Sequence, residues 1–264
     1  MPCYGTTDRT LNNARRLMEI LEVTSYEINI KDACEQHYKD IGYDKSKLDV
    51  TFENVQARER TQILMDVSNK IGSLVVGTGD LSELALGWCT YNGDQMSMYG
   101  VNASIPKTLV RGILESYAEH HEGLKDVLLD ICDTPVSPEL LPPNEDGTIK
   151  QKTEDKIGSY VVHDFILYFS KHETVTEDCI SINLYVNAKT MHEKNIGVKE
   201  PVVDKQELLN NMDIFYNRFW TQQFKRSCMP DGVKVGSVCL SPRGDWRMPS
   251  DANVQIWLDE VEKI

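Results

Sequence analysis

The chain has 264 residues and a formal net charge of −13, with apolar and charged fractions of 41% and 26% that are ordinary for a globular protein. The acidic balance argues against a nucleic-acid-binding surface, and the lack of an apolar run of about 18 residues argues against a membrane span. The first residues do not resemble a secretory signal, so the seven dispersed cysteines are expected to be reduced thiols of a cytoplasmic protein.

The first half of the chain alternates helical and strand-like patterns. Helical spacing of apolar residues occurs at residues 8–22, 54–71, 106–117 and 124–131, and strand-like runs occur at 25–30 and 73–76. Thr7 or Asp8 is the expected N-cap of the first helix, and Gly72 is the expected end of the second. This alternation predicts a parallel sheet with helices on both faces.

The second half has a different texture. Residues 133–153 contain four prolines among polar residues, which predicts a surface loop that is either ordered or mobile. Helical patterns follow at 156–170, 205–221 and 251–263. We therefore expect a parallel α/β part at 1–132, a surface loop at 133–155 and a helical part at 156–264.

Between the strand at 73–76 and the next helix lies the turn Gly77-Thr78-Gly79-Asp80. Glycines allow the backbone to approach a ligand, Thr78 offers a hydroxyl and an amide, and Glu83 could hold Mg²⁺ or a ribose hydroxyl. The alternative is an ordinary strand-to-helix turn in which Asp80 or Ser82 caps the helix.

Two further stretches have the same ambiguity. Asp94 follows an Asn-Gly pair and is either a metal ligand or part of a simple turn. Lys107 stands near a helix N-terminus, where the helix dipole favours acids. It is therefore either a lysine that faces an anion such as a phosphate or a solvated surface residue.

Cations of this acidic chain also point to an anionic ligand. Lys225 and Arg226, with Arg243 and Arg247 further on, form either an anion site or a solvated basic patch. Asn54 stands where a helix N-cap is expected. Arg58, one helical turn later, could face the same ligand as Thr78.

Several segments together carry a resemblance that runs through nearly the whole chain: GTTDRTLNNA, DVTFENVQARERT, VVGTGDLSELALGWCTYNGDQMSMYGVNASIPKTLV, SPELLP, FKRS and SPRGDWRMPSD. In these segments the sequence resembles the synthetase domain of glutamine-dependent NAD⁺ synthetase, long bacterial form. The resemblance implies an α/β fold of Rossmann-like type, a doubly wound parallel sheet of the adenine-nucleotide alpha-hydrolase or PP-loop ATP pyrophosphatase class.

The resemblance also implies a reaction and its partners. ATP adenylates the nicotinate carboxylate of deamido-NAD, and ammonia, from glutamine in the full-length enzyme, displaces AMP to give NAD⁺. Mg²⁺ accompanies ATP, and a homodimer is implied because the family's deamido-NAD site lies across a two-fold interface. A larger homo-oligomer is possible in the full-length enzyme.

By position within the matching segments, the resemblance implies three sets of site residues. ATP contacts are Thr78, Lys107 and Arg58; deamido-NAD contacts are Asn54, Glu83, Trp88 and Lys225; magnesium ligands are Glu83 and Asp94. It does not indicate a catalytic side chain.

One feature of the family is not found in this sequence. The pyrophosphate-binding run Ser-Gly-Gly-x-Asp-Ser does not occur in the 264 residues, and neither does a glutaminase domain. We therefore expect an N-terminally truncated part of a longer synthetase that has little activity by itself. The alternative is a non-catalytic remnant that binds dinucleotides or dimerises.

Overall fold

The computed structural model describes residues 1–144, 153–172 and 205–263, and its regular structure is mainly helical. The helices are α1 Asp8–Ile20, α2 Lys31–Asp40, α3 Val50–Ile71, α4 Leu81–Leu86, α5 Lys107–His120, α6 Glu122–Cys132, α7 Glu154–Ile157, α8 Tyr160–His172, α9 Lys205–Thr221, α10 Gln223–Arg226 and α11 Gln255–Val261, with a 3-10 turn at Lys45–Lys47. Three short strands, β1 Val76–Gly77, β2 Tyr99–Gly100 and β3 Asp231–Gly232, are hydrogen-bonded in the order β1-β2-β3. Within these described ranges, no helix is long and apolar enough to cross a membrane.

Side-chain caps decide where the first helices begin. Thr7 caps α1, because its hydroxyl accepts a hydrogen bond from the backbone N–H of Thr10 at 3.3 Å. Asp49 caps α3 by accepting from the N–H of Thr51 at 2.8 Å. The prediction that Asn54 is an N-cap is therefore wrong, since Asn54 lies inside α3. Gly72 ends α3 with a φ of 67°, a left-handed conformation that glycine adopts without strain.

The alternating residues 25–30 do not form the predicted strand. A half-buried strand places every second side chain in the core, but here Ile30 is fully buried whereas Tyr26 is 65% exposed. The segment runs beside Pro2, whose carbonyl accepts from the N–H of Ile30 at 3.4 Å. It is a connection to α2 without regular structure.

Other predicted elements are shifted or divided. The strand expected at 73–76 is β1, which is shorter and ends at Gly77. The helix expected at 156–170 is divided into α7 and α8 around Gly158, which has a φ of 85°. The 205–221 pattern corresponds to α9, and α11 lies within the expected 251–263.

The proline-rich stretch is partly described. In its described residues, Leu140 is buried and the N–H of Thr153 donates to the carbonyl of Val136 at 2.9 Å. The residues of this stretch that the structure describes therefore fit an ordered surface loop better than a mobile one. Residues 145–152 lie outside the described residues.

The chain forms two compact units, and it passes from one to the other several times. The first consists of Met1–Gly77, Cys89–Tyr99 and Leu109–Lys156, and the second of Thr78–Trp88, Gly100–Thr108 and Ile157–Ile264. These units group residues by packing. The division into 1–132, 133–155 and 156–264 stays a prediction.

Two apolar clusters hold the first unit. In the larger one, α2 packs on α3: the rings of Tyr38 and Phe52 stack with centroids 5.4 Å apart, and the Tyr38 hydroxyl donates to the Phe52 carbonyl at 2.8 Å. Its buried members are Ile30, Cys34, Tyr38, Phe52 and Val55. The second cluster joins α5 and α6 and has the buried members Ala118, Leu124, Val127 and Leu128.

The second unit is built around α9. The apolar face of α9 packs against α8, α4 and α11, and the rings of Phe215 and Phe219 stack at 5.5 Å. Met212, Leu86 and Ile166 are fully buried in this cluster. Five of the six apolar residues that give 205–221 its helical pattern are buried: Leu208, Met212, Phe215, Tyr216 and Phe219. Leu209, the sixth, is partly buried.

Truncating Met212 tests this packing. Met212→Ala is expected to lower the free energy of unfolding by about 2–4 kcal/mol, because it removes buried methylene groups and leaves a cavity. Urea denaturation followed by circular dichroism measures the change. Asp213→Ala, at an exposed position of the same helix, is the control and should cost less than about 0.5 kcal/mol. Equal effects would contradict the assignment of the core.

Candidate functional site

The turn after β1 leads into α4 through a capping box. The Asp80 carboxylate accepts from the Glu83 N–H at 2.9 Å, and the Glu83 carboxylate accepts from the Asp80 N–H at 3.2 Å. Of the two capping candidates, Asp80 is thus the cap. Thr78 lies exposed just before this box. The turn therefore places two carboxylates at the start of α4.

Lys107, the first residue of α5, meets these carboxylates. Its ammonium group lies 2.7 Å from Asp80 Oδ2 and 2.8 Å from Glu83 Oε1, and 5.5 Å from the centre of the Tyr160 ring. The anion that Lys107 faces in the structure is thus a pair of protein carboxylates. We call Asp80, Glu83 and Lys107 the lysine cluster.

The lysine cluster contains one more acid than base, and the titration of Glu83 reflects this. Burial and the neighbouring Asp80 carboxylate raise the pKa of Glu83 from 4.5 to about 7, although Lys107 opposes the rise. Burial by itself would lower the pKa of Lys107, but Glu83 and Asp80 together raise it above its usual value. Lys107 therefore stays charged while Glu83 titrates near neutral pH.

Asp164 fixes the start of α5, and the sequence patterns did not indicate it. Its carboxylate accepts from the N–H of Thr108 at 3.1 Å and from the Thr108 hydroxyl at 2.7 Å, and it also accepts from the Ser82 hydroxyl. Ser82 in turn accepts from the N–H of Lys107 at 2.8 Å. Burial raises the pKa of Asp164. Ser82 and Asp164 thus satisfy two backbone N–H groups at the first turn of α5, which carries no acid of its own.

The other end of α4 is held by three cations. A helix leaves its last carbonyls without internal partners, and here side chains supply the donors. Arg226 donates to the carbonyls of Leu84 and Ala85 at 3.2 and 2.7 Å. Arg218 donates to Leu86 O at 2.9 Å, and Lys225 donates to Gly87 O at 2.8 Å.

Arg226 is completely buried in this arrangement. It also donates to Gln223 and to the Phe219 carbonyl, and its guanidinium lies 4.2 Å from the centre of the Phe219 ring. It is a structural residue, not part of a solvated basic patch. Of the predicted cations further on, Arg243 pairs with Asp231, whereas Arg247 is exposed.

Trp88 follows Gly87 directly. Gly87 has a φ of 57°, and a Cβ there would collide with Gln222. The guanidinium of Arg218 lies 5.0 Å from the centre of the Trp88 ring. The structure therefore brings the predicted residues Trp88 and Lys225 together at the end of α4, while Glu83 and Lys107 meet at its start.

The remaining predicted residues meet in the first unit around the turn at 90–95. Asn54 Oδ1 accepts from the Thr90 hydroxyl at 2.8 Å, and Arg58 Nε donates to the Tyr91 carbonyl at 3.2 Å. Asp94 accepts from the Thr90 N–H at 2.6 Å. All three side chains bind the turn in this structure. The Asn92-Gly93 pair therefore marks a turn, and Asp94 is part of it.

A magnesium ion finds few protein ligands here. In the described parts of the chain, no group of three or more His, Cys, Asp or Glu side chains could hold a metal ion. Both oxygens of Glu83 accept hydrogen bonds, one from Lys107 and one from the Asp80 N–H. The described side chains therefore do not provide enough ligands to hold Mg²⁺ by themselves. Mg²⁺ commonly takes one carboxylate together with phosphate oxygens and water.

Comparison with known proteins identifies the family. The family model of NAD synthase matches residues 1–197. The chain belongs to the NAD synthase family. The whole chain also aligns with glutamine-dependent NAD(+) synthetases of Mycobacterium leprae and Mycobacterium bovis, at 42% and 40% identity. The resemblance inferred from the sequence motifs is therefore confirmed.

Solved structures show that the chain has the fold of its family. A glutamine-dependent NAD(+) synthetase from Cytophaga hutchinsonii superposes with a TM-score of 0.72 over 97% of this chain, at 19% identity, and the match spans 38% of that protein. An NH3-dependent NAD synthetase from Campylobacter jejuni gives a TM-score of 0.51 over 88% of this chain and 72% of its own, at 20% identity. The predicted α/β class is thereby confirmed.

The chain is shorter than these relatives. It spans 41% of the length of the two mycobacterial synthetases and all of its own residues take part in the alignment. The activity and substrates of the whole relatives are therefore proposals for this chain.

The pH dependence of stability tests the lysine cluster. Because the pKa of Glu83 is higher in the folded state, the folded state binds the extra proton between pH 4.5 and about 7, and stability falls as the pH rises through this window. Glu83→Gln removes this titration. The variant should therefore gain stability relative to the parent, on the order of 1 kcal/mol, as the pH rises from about 5 to 8. Urea denaturation at several pH values measures it, and Glu119→Gln, at an exposed position of α5, is the control.

Arg226 is the second test. Arg226→Met removes the donors to buried carbonyls and is expected to lower the free energy of unfolding by about 2–4 kcal/mol. The matched control is Arg243→Met, at an exposed position with its ion pair to Asp231, which should cost less than about 1 kcal/mol. Chemical denaturation compares the two. A small loss for Arg226→Met would refute its role at the end of α4.

Proposed function

We propose that this chain contributes to the ATP-dependent amidation of deamido-NAD to NAD⁺, a ligase reaction that forms a C–N bond. The single observation that carries the proposal is the lysine cluster, in which Lys107 is held at the start of α4 by Asp80 and Glu83. This cluster lies within the part of the chain that matches the NAD synthase family.

The chemistry requires an activated carboxylate. Oxide is too poor a leaving group for ammonia to displace directly, so the nicotinate carboxylate of deamido-NAD first attacks the α-phosphorus of ATP and releases pyrophosphate. Ammonia then adds to the acyl-adenylate and AMP leaves. Charge develops on phosphate oxygens in the first step and on the carbonyl oxygen in the second, and cations near these positions stabilise both transition states.

Lys107 is the proposed phosphate contact. Its side chain is only 24% exposed, and its raised pKa keeps it charged throughout the physiological range. The backbone of Lys107 is fixed by Ser82 and that of Thr108 by Asp164, so the amine is presented from a defined position. A polyphosphate would compete with Asp80 and Glu83 for this ammonium group. Thr78, exposed before the capping box, and Arg58 are the other proposed ATP contacts.

Mg²⁺ is proposed to arrive with ATP. The residues do not form a complete metal site, so most ligands would come from phosphate oxygens and water. Glu83 would contribute a carboxylate oxygen when Lys107 turns to the phosphates. Asp94 is the weaker candidate, because its carboxylate already accepts from the Thr90 N–H.

The proposed deamido-NAD contacts comprise Trp88 and Lys225 at the end of α4, Glu83 at its start, and Asn54 on α3. Trp88 offers an aromatic face on which a nicotinate or adenine ring can stack. Lys225 offers an ammonium group that the Gly87 carbonyl now accepts from. In a longer enzyme, glutamine would supply the ammonia. A homodimer and a cytoplasmic location complete the proposal.

The alternative function is a non-catalytic module that binds a dinucleotide or dimerises. One observation favours it: some predicted substrate contacts already form hydrogen bonds within the protein. Asn54, Arg58 and Asp94 all bind residues of the turn at 90–95. Such residues stabilise a fold whether or not a substrate is present.

Calorimetry on this chain distinguishes these functions. We expect both MgATP and deamido-NAD to bind, and Lys107→Gln to weaken ATP binding about tenfold, or about 1.4 kcal/mol, through loss of a phosphate contact. Binding of deamido-NAD by this variant should change little. Lys39→Gln, at an exposed position on α2, removes the same charge as a control and should alter neither.

Other results of the calorimetry would favour or refute the alternative function. Deamido-NAD binding without ATP binding would favour the non-catalytic module. Binding of neither ligand would refute the ligase function and dinucleotide binding, and would favour a folded remnant that at most dimerises. Circular dichroism of Lys107→Gln shows whether the fold survives loss of the lysine cluster. NAD⁺ formation from deamido-NAD, MgATP and ammonium is measured alongside as the direct assay of the ligase reaction.

A further inference from the structure

Two residues on one face of α8 contact the start of α5. The Lys107 ammonium lies 5.5 Å from the centre of the Tyr160 ring, and Tyr160 is buried at 3% exposure. Asp164 follows Tyr160 by four residues, so the two side chains are neighbours on the surface of α8. Tyr160 thus contacts the side chain of Lys107, and Asp164 contacts the backbone of the next residue, Thr108.

The start of α5 needs hydrogen-bond partners from outside the helix. The N–H groups of a first turn have no acceptors within their own helix, and α5 carries no acid in its first turn. One oxygen of the Asp164 carboxylate accepts from the N–H and the hydroxyl of Thr108 at 3.1 and 2.7 Å. The other oxygen accepts from the Ser82 hydroxyl, whose oxygen accepts from the Lys107 N–H at 2.8 Å. One carboxylate therefore holds two consecutive residues of α5 and connects them to α4.

The position of the Lys107 backbone decides where its ammonium group can reach. The lysine side chain has a flexible four-carbon stem, so a single lysine on a free backbone can point in many directions. Here the backbone is held, and the side chain is only 24% exposed. A polyphosphate that binds this ammonium meets a group that is already ordered, which lowers the entropic cost of binding.

We propose that Asp164 is a positioning residue for ATP binding, and that it acts through Lys107 without touching the nucleotide. This inference rests on the proposed function, in which Lys107 contacts the phosphates of ATP. It goes further because it assigns a role to a carboxylate on α8, a helix that contains none of the proposed ATP contacts.

The negative charge of Asp164 makes the direction of the expected effect informative. A carboxylate near a polyphosphate repels it, so removal of this charge would by itself strengthen ATP binding. Loss of a positioning contact has the opposite effect, because the backbone of Lys107 loses an anchor. In Asp164→Asn one amide oxygen remains for Thr108, but the amide NH₂ group that replaces the other oxygen cannot accept from the Ser82 hydroxyl.

Calorimetry with MgATP and with deamido-NAD tests the proposal. Asp164→Asn is expected to weaken ATP binding about fivefold, as for coupled residues of one hydrogen-bond network, and to leave deamido-NAD binding unchanged. In the Lys107→Gln background the same substitution should have no further effect on ATP binding, because the group that Asp164 positions is gone. Asp66→Asn, at an exposed position of α3, removes the same charge as a control and should alter neither ligand.

A second variant covers the case in which circular dichroism shows that Asp164→Asn does not fold. Ser82→Ala removes the acceptor of the Lys107 N–H and should give the same loss of ATP binding alone. Unchanged or tighter ATP binding, equal losses for both ligands, or a full further loss in the Lys107→Gln background would overturn the proposal and leave the proposed function intact. If the parent does not bind ATP, or Lys107→Gln binds it as the parent does, the proposed function fails together with this inference.

Discussion

The rest of the candidate site depends on one ammonium group, that of Lys107, which lies between the carboxylates of Asp80 and Glu83. Asp80 caps α4 and Lys107 begins α5, so one ion-pair cluster joins the starts of two helices. A buried cation without partners would be costly, and so would two neighbouring buried carboxylates. The three groups tolerate burial only together. Ser82 and Asp164 add hydrogen bonds to the backbone of α5 and orient this arrangement from α4 and α8.

Much of this arrangement could be predicted from local sequence, and some of it could not. The turn before α4, a cap by Asp80 or Ser82 and the apolar face of α9 follow from spacing within a few residues, where helix geometry decides which side chains are neighbours. Lys107 is unusual in the sequence because it stands near a helix N-terminus, where the helix dipole favours acids. Its partners Asp80 and Glu83 and its support Asp164 lie far away in the sequence. No local pattern could pair them.

The incorrect predictions have different origins. The alternation at residues 25–30 indicates a strand only if the alternate side chains are buried, and here Tyr26 is exposed. Asn54 has the right chemistry for an N-cap, but Asp49 stands earlier and caps first. Arg226 looks like one cation of a basic patch, yet carbonyls at the end of α4 surround it. A local cap decided the case of Asn54, whereas burial decided that of residues 25–30 and a tertiary contact that of Arg226.

The charge of the cluster also limits how a polyphosphate can bind. With Glu83 ionised, the lysine cluster carries a net charge of −1, because two carboxylates share one ammonium group. A bare nucleotide triphosphate that captured Lys107 would leave both carboxylates uncompensated beside new negative charge, and Coulomb repulsion between partly buried groups is weakly screened. In the proposed reaction, a divalent cation that arrives with the phosphates would remove this conflict by pairing with the carboxylate that Lys107 leaves. The excess of acid over base would then favour the magnesium complex of the nucleotide over the free nucleotide.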